Sequence, residues 1–209
     1  MNSLIVGSTS QLSYYFPKEY ERISSRDVFS TSLCEKFYDR IYLCFAEQRT
    51  FLDDMNMFID VNAHYTIKVI EYFESKCNKI IVYGTSELWN NYEGAISIDI
   101  PISFVTSDKM AYVFSKYVMI RSICMAQEQG RMKNVIILHP FNFNSCYRKE
   151  GFLFYKIFDS IVNKKKIEIG DTYFYRDLIH PKYVAERSML ADKDEIIGSG
   201  RLTFVHDFI

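Results

Sequence analysis

The run Lys79-Ile80-Ile81-Val82-Tyr83 constrains this chain most, because it is apolar almost throughout and no longer than a strand. A strand with no polar face must be covered on both sides. Similar runs recur at Leu4-Ile5-Val6, from Arg40 to Ala46 and from Asn134 to Leu138. Between them lie helical segments. In 51–76, Phe51, Met55, Phe58, Ile59, Asn62, Tyr65, Val69 and Phe73 return at three- and four-residue steps, and 107–129 forms a second helix, with Ser107 or Asp108 able to cap it and Gly130 to stop it. Strands alternating with helices predict an α/β fold: a doubly wound, mainly parallel sheet with helices on both faces. The 209 residues suit a single domain, 1–209, with a substantial core.

The charge balance, 25 basic residues against 26 acidic, provides no bulk attraction to nucleic acid or to an anionic membrane. No stretch approaches a transmembrane span, and the start Met-Asn-Ser-Leu-Ile-Val-Gly lacks the features of a signal peptide. Cysteines 34, 44, 77, 124 and 146 are scattered without C-x-x-C spacing, as expected of free thiols in a reducing cytosol. Histidines 64, 139, 180 and 206 form no ligand-spaced cluster, so no metal site is expected.

Chemistry concentrates between Val82 and Lys116. The strand ending at Tyr83 breaks into Gly84-Thr85-Ser86-Glu87-Leu88-Trp89, and the second helix carries Tyr112-Val113-Phe114-Ser115-Lys116. A Tyr and a Lys four apart lie on one helical face. An ammonium beside a phenol favours the phenolate, so Tyr112 is expected to exchange a proton with a substrate oxygen near neutral pH. Thr85, from a strand end, could hold the same oxygen.

With these residues the chain resembles the short-chain dehydrogenases/reductases, in which a Ser/Thr after a strand is followed by Tyr-x-x-x-Lys. Thr85-Ser86-Glu87-Leu88-Trp89 is most similar to the Thr-Ser-Glu-Leu-Tyr of nucleotide-sugar 4,6-dehydratases, in the extended epimerase/dehydratase branch. His139-Pro140-Phe141-Asn142 resembles that family's Arg-Pro-x-Asn turn. Arg176-Asp177-Leu178-Ile179-His180-Pro181 resembles its Arg-Asp-Phe-Ile-His-Val.

The resemblance implies a Rossmann-like fold and assigns further residues. Leu4-Ile5-Val6 followed by Gly7-Ser8-Thr9-Ser10-Gln11-Leu12-Ser13 reads as strand, turn and helix start, the place where a dinucleotide pyrophosphate binds. Gly7, Thr9, Ser10, Gln11 and Leu12 are the expected contacts. Ser10 and Ser13 stand where relatives have glycines, and their hydroxyls could reach a phosphate oxygen. Ser24-Ser25-Arg26 follows the second strand, near Tyr20 to Ile23. Ser25 and an Arg26 fork favour the 2′-phosphate of NADP, with NAD as the other possibility. Ala46 and Pro140 would lie against the cofactor, and Lys116 would hold its ribose. Asn62 would brace the site by bonding a neighbouring carbonyl.

Asn142 and Arg176 would contact a nucleotide-sugar substrate, the arginine through its diphosphate, while Asp177 would fix its own loop. The reading is an NAD(P)-dependent enzyme acting on a nucleotide-activated sugar. A 4-keto reductase is placed ahead of a 4-epimerase or a 4,6-dehydratase, in which Glu87 would take the carbon-5 proton. A non-catalytic cofactor-binding partner subunit is the alternative of another class. The resemblance further implies a homodimer through helices 51–76 and 107–129, and a reduced substrate-binding portion at about 143–209. Gly151 to Asn163 should be an amphipathic helix, Ile196 to Arg201 a late strand, and 203–209 the start of a helix.

Overall fold

A computed structural model describes residues 2–52, 54–90, 92–102 and 109–208. Its main element is a six-stranded parallel sheet. The strands are β1 (Ser3–Val6), β2 (Glu21–Ile23), β3 (Tyr38–Leu43), β4 (Cys77–Tyr83), β5 (Val135–Pro140) and, later in the chain, β9 (Glu195–Ile197), in the spatial order β2-β1-β3-β4-β5-β9. The apolar runs thus become the central strands. Ile80, Ile81 and Val82 of β4 are at most 1% exposed, as double-sided coverage requires.

One face is covered by helices from the two periodic segments. The first consists of α1 (Met55–Ile59), a π turn (Asp60–Tyr65) and α2 (Thr66–Phe73) in one continuous run. The second is α3 (Met110–Glu128), followed by Gly130 in a left-handed conformation at φ +83°. The expected caps Ser107 and Asp108 lie outside the described residues. Val69, Ile70, Phe73, Met119, Ile120 and Ile123 pack here against Leu4, Val6, Ile41, Ile80 and Val82.

The opposite face differs from expectation. The helix expected after β1 is a single 3₁₀ turn, Ser13–Tyr15. Few residues separate β1 from β2, and Pro17 lies among them, which leaves little room for an α-helix. The Arg22 guanidinium compensates by donating to the carbonyls of Ser13, Phe16, Pro17, Lys18 and Tyr20. Tyr147 stacks on Tyr14 at 4.3 Å between ring centres and meets Tyr15 edge-on. This face is completed by α5 (Pro181–Leu190), whose Val184 and Ala185 pack with Leu12, Phe16 and Tyr42. Sequence periodicity had not singled out α5.

Between β2 and β3 there are short 3₁₀ turns at Ser25–Asp27 and Ser32–Glu35. After β5 come β6 (Asn142–Phe143), α4 (Leu153–Asn163), β7 (Tyr175–Arg176) and β8 (Leu178–Ile179). β6 pairs in parallel with β8, carrying the chain across the end of the sheet. The expected terminal helix begins instead as β10 (Thr203–Phe204), antiparallel to β7, followed by a 3₁₀ turn at Val205–Phe208. No helix among the described residues is long and apolar enough to cross a membrane, and none of their His, Cys, Asp and Glu side chains group as metal ligands.

Candidate active site

The site lies along the carboxyl ends of the parallel strands, where this sheet topology leaves a crevice. At its centre Thr85 follows β4 and is 5% exposed. Its hydroxyl accepts from the Glu87 N–H at 3.2 Å and is hydrogen-bonded to the Tyr112 phenol. The two side chains that the sequence linked only by motif therefore meet. Tyr112 is fixed from below by a chain of bonds. Asn62 is fully buried and brackets the strand end after β3, accepting from Glu47 N–H at 2.7 Å and donating to Glu47 O at 3.0 Å. Its amide also donates to the Ser115 hydroxyl, which in turn donates to the Tyr112 carbonyl. Asn62 sits within the π turn, a kind of helix irregularity that is common at functional sites. It is a brace, as expected.

Lys116 is 4% exposed, and its ammonium donates to the Tyr83 carbonyl at 2.7 Å. Burial pulls its pKa down to about 8. The expected phenolate is overturned, because burial drives the Tyr112 phenol up to about 12. The Thr85 hydrogen bond and the Arg148 charge lower it, and Glu87 raises it further, so Tyr112 is protonated at neutral pH in the free protein. His139 is 3% exposed and its Nδ1 has no partner among the described residues. Desolvation brings its pKa to about 4, against the raising effect of its bond to the Thr85 backbone. It is a neutral wedge under the strand end, so close that a Cβ on Gly84 would lie 2.5 Å from its ring.

Glu87 is clamped by Lys109 at 2.8 Å and by Asn90. Burial raises its pKa, but Lys109 and Asn90, with Arg176 behind them, outweigh this and hold it below the ordinary carboxylate value. Arg176, in β7, has its guanidinium over Phe174 at 4.7 Å, and its charge adds to the lowering at Glu87. Asp177, expected to fix its own loop, instead holds the turn after β9, accepting from the Ser199 N–H and hydroxyl and from the Gly200 N–H. Pro140 closes β5, and Asn142 is half-buried in β6.

Ser25, Arg26 and Ala46 line one cleft of about 560 Å³, together with Phe29, Phe45, Glu47, Val61, Tyr65 and Lys68. Its walls are aromatic and aliphatic, with the cations of Arg26 and Lys68 and the carboxylate of Glu47 among them. The loop after β1 is more self-contained. Gly7 is at φ +102° and lies so close to β3 that a Cβ would meet Phe45 N at 2.9 Å. Ser10 Oγ accepts from Leu12 N–H, and the buried Ser13 hydroxyl donates to the Ser8 and Ser10 carbonyls. Ser13 is thus committed internally, contrary to the expected phosphate contact. Gln11 bonds to Phe143 O and Ser145, while the Leu12 side chain belongs to the core. Among the described residues, the N–H groups of Thr9 and Gln11 have no partner, so the loop can still present donors to a diphosphate.

Sequence reasoning missed Lys68, Tyr65 and Arg148. Tyr65 had been read as core stripe, yet its hydroxyl donates to the Ser25 carbonyl. Arg148 lies in a loop, where no periodicity marks it.

The fold is that of a Rossmann-like α/β protein of the short-chain dehydrogenase/reductase type. The model of the NAD dependent epimerase/dehydratase family matches residues 22–195, and the chain belongs to that family. The match starts after the loop that has lost its helix. No curated protein matched significantly. Among solved structures, the UDP-glucuronic acid 4-epimerase of Bacillus cereus in complex with NAD is similar at TM-score 0.79 and 16% identity, covering 100% of this chain and 82% of that one. The dTDP-glucose 4,6-dehydratase DesIV of Streptomyces venezuelae, with NAD bound, is similar at TM-score 0.79 and 14% identity, covering 100% and 79%. The UDP-N-acetylglucosamine 4-epimerase of Methanobrevibacter ruminantium is similar at 0.77 and 14%, covering 99% and 79%.

Proposed function

We propose that this protein is an NAD(P)-dependent oxidoreductase that reduces the 4-keto group of a nucleotide-activated sugar. The observation that carries the reading is the meeting of Thr85 and Tyr112 at the end of β4, with the phenol held protonated. A nicotinamide bound along this edge would supply the hydride. Tyr112 then donates its proton to the carbonyl oxygen, which becomes the hydroxyl, and Thr85 holds that oxygen in line. The phenolate left behind regains its proton from solvent. Lys116, with N–H donors left beyond its bond to Tyr83, would hold the cofactor ribose. The phenol is protonated in the free protein, the state that donation to a carbonyl oxygen starts from, whereas 4-epimerisation begins by taking a proton from a hydroxyl.

Glu87 bears on dehydration. Its carboxylate is tied to Lys109 and Asn90, so removal of a carbon-5 proton would first require breaking an ion pair. The second reading is 4-epimerisation, favoured by the activities named for the similar structures, two of which are 4-epimerases. The nucleotide-sugar class is supported by the family match and by the UDP- and dTDP-sugar enzymes of like fold. Asn142 and Arg176 would contact the sugar nucleotide, with about 143–209 forming the substrate-binding portion. For the cofactor, Arg26 and Lys68 in one cleft support NADP, whereas NAD is named for the similar structures. A homodimer through the outer faces of α1, α2 and α3 completes the reading.

The test is incubation with 4-keto-6-deoxy sugar nucleotides and NADPH, followed by nicotinamide absorbance. Oxidation of NADPH that Tyr112→Phe abolishes supports the reduction. Conversion of a 4-hydroxy sugar nucleotide without net cofactor change would favour the epimerase. Cofactor binding without turnover of any substrate would make the protein a partner subunit.

A further inference from the structure

Thr85 leaves the sheet where the ladder between β4 and β5 runs out. The register reaches Tyr83 opposite Leu138, and the Gly84 N–H still donates to the Leu138 carbonyl at 2.8 Å. In a parallel ladder the next donor would be the N–H of residue 140, and Pro140 has none. The side chain of His139 lies where the ladder stops. Strand alternation turns it toward α3, as it does Ile137, and it is 3% exposed. Its ring fills the space of a Cβ on Gly84, with Nδ1 2.5 Å from that position, and meets Trp89 edge-on at 4.9 Å between ring centres. Trp89 is itself held by its Nε1–H, which donates to the Ile100 carbonyl at 2.9 Å. The ring bonds to the Thr85 main chain in the sense that favours the protonated imidazole, so the ring donates and the Thr85 carbonyl accepts. Since Nδ1 has no partner among the described residues, the donor is Nε2.

We propose that His139 is the positioning residue for Thr85: seated on Gly84 and against Trp89, its ring anchors the Thr85 main chain where the ladder ends, so that the Thr85 hydroxyl faces Tyr112. The inference rests on the reading of Thr85 and Tyr112 as the pair that acts on the substrate oxygen, and His139 acts through Thr85. Small displacements of a group that holds a reacting oxygen in line are costly, so a main chain released from its sheet at this point needs another anchor. An imidazole suits the task because it offers one donor on a rigid ring and stays uncharged in this buried position. Gly84 belongs to the same arrangement. Its φ is not positive, so the His139 ring, and not the backbone, excludes a side chain there.

In the experiment, 3-fluorotyrosine replaces Tyr112, and fluorine NMR of the substrate-free protein reads the bond between its phenol and Thr85. Thr85→Val removes that bond and sets the reference shift. His139→Leu, which keeps the bulk and loses the donor, is expected to reproduce most of it. His139→Gln, whose amide can donate as Nε2 does, should stay near the parent. In the Thr85→Val background His139→Leu should add little, because both changes act through one bond. A His139→Leu resonance at the parent position, a Gln variant displaced as far as the Leu variant, or an equal displacement in the Thr85→Val background overturns the proposal. If His139→Leu does not fold, Gly84→Ala, which drives a Cβ against the ring, should move the resonance in the same direction, and an unmoved resonance overturns the proposal. On a substrate that turns over, His139→Leu should lower kcat by up to ~10²-fold and leave the KM for NADPH near that of the parent, with His139→Gln losing far less. Since the NMR needs no turnover, failure of every sugar nucleotide to react would sink the reduction alone.

Discussion

The loop after β1 and the crevice between β4 and α3 handle their polar groups in opposite ways. In the loop, Ser10, Ser13 and most of the backbone N–H groups bond to one another or to the carbonyl of Ile23, and Arg22 takes up the carbonyls that a helix would have used. In the crevice, Lys116 is buried on one carbonyl, His139 Nδ1 has no partner, and the Tyr112 pKa is displaced upward by desolvation. The first region is stabilised by its hydrogen bonds, whereas the second lacks full satisfaction where chemistry needs it. Substitutions in the loop should therefore cost stability, and those in the crevice should cost turnover.

The largest expected effect breaks the crevice. Tyr112→Phe should lower turnover by ~10²–10⁴-fold while thermal unfolding and cofactor binding stay near those of the parent. An equal loss of stability would erase the contrast between the two regions.

A pH titration of stability sharpens it. The His139 pKa falls from 6.5 to about 4 on folding. The unfolded chain therefore binds more protons within that window, and stability drops as pH falls from 6.5 towards 4. The shift corresponds to about 3 kcal/mol. His139→Gln should flatten this segment of a chemical-denaturation profile. An acid limb that persists unchanged in the variant would assign the loss to other groups.

In the loop, Gly7→Ala should cost about 2–3 kcal/mol, since it combines a positive φ with a Cβ 2.9 Å from the Phe45 backbone. The urea midpoint measures this, and a neutral result would mean that β3 yields easily. The smallest effect is Ser13→Ala, about 1 kcal/mol for the lost hydroxyl bonds, with dinucleotide affinity unchanged by calorimetry. A selective loss of affinity would return Ser13 to the phosphate site.

The sequence by itself determined the sheet and the helix that carries Tyr112 and Lys116. Unbroken apolar runs leave a strand no exposed face, and a Tyr and Lys four apart at the end of such a sheet share a helical face whatever surrounds them. The helix lost after β1 was not readable in the same way. Ser, Gln and Tyr residues fit a helix or a turn, and the outcome depended on whether the Arg22 guanidinium could take over the carbonyls. Nor did the sequence decide the protonation of the site. Spacing places Lys116 one turn from Tyr112, but only packing sends the ammonium to the Tyr83 carbonyl and brings the charge of Arg148, from a distant loop, to bear on the phenol. Periodicity records which faces are covered, whereas a pKa depends on what covers them, and that is fixed by contacts between residues far apart in the chain.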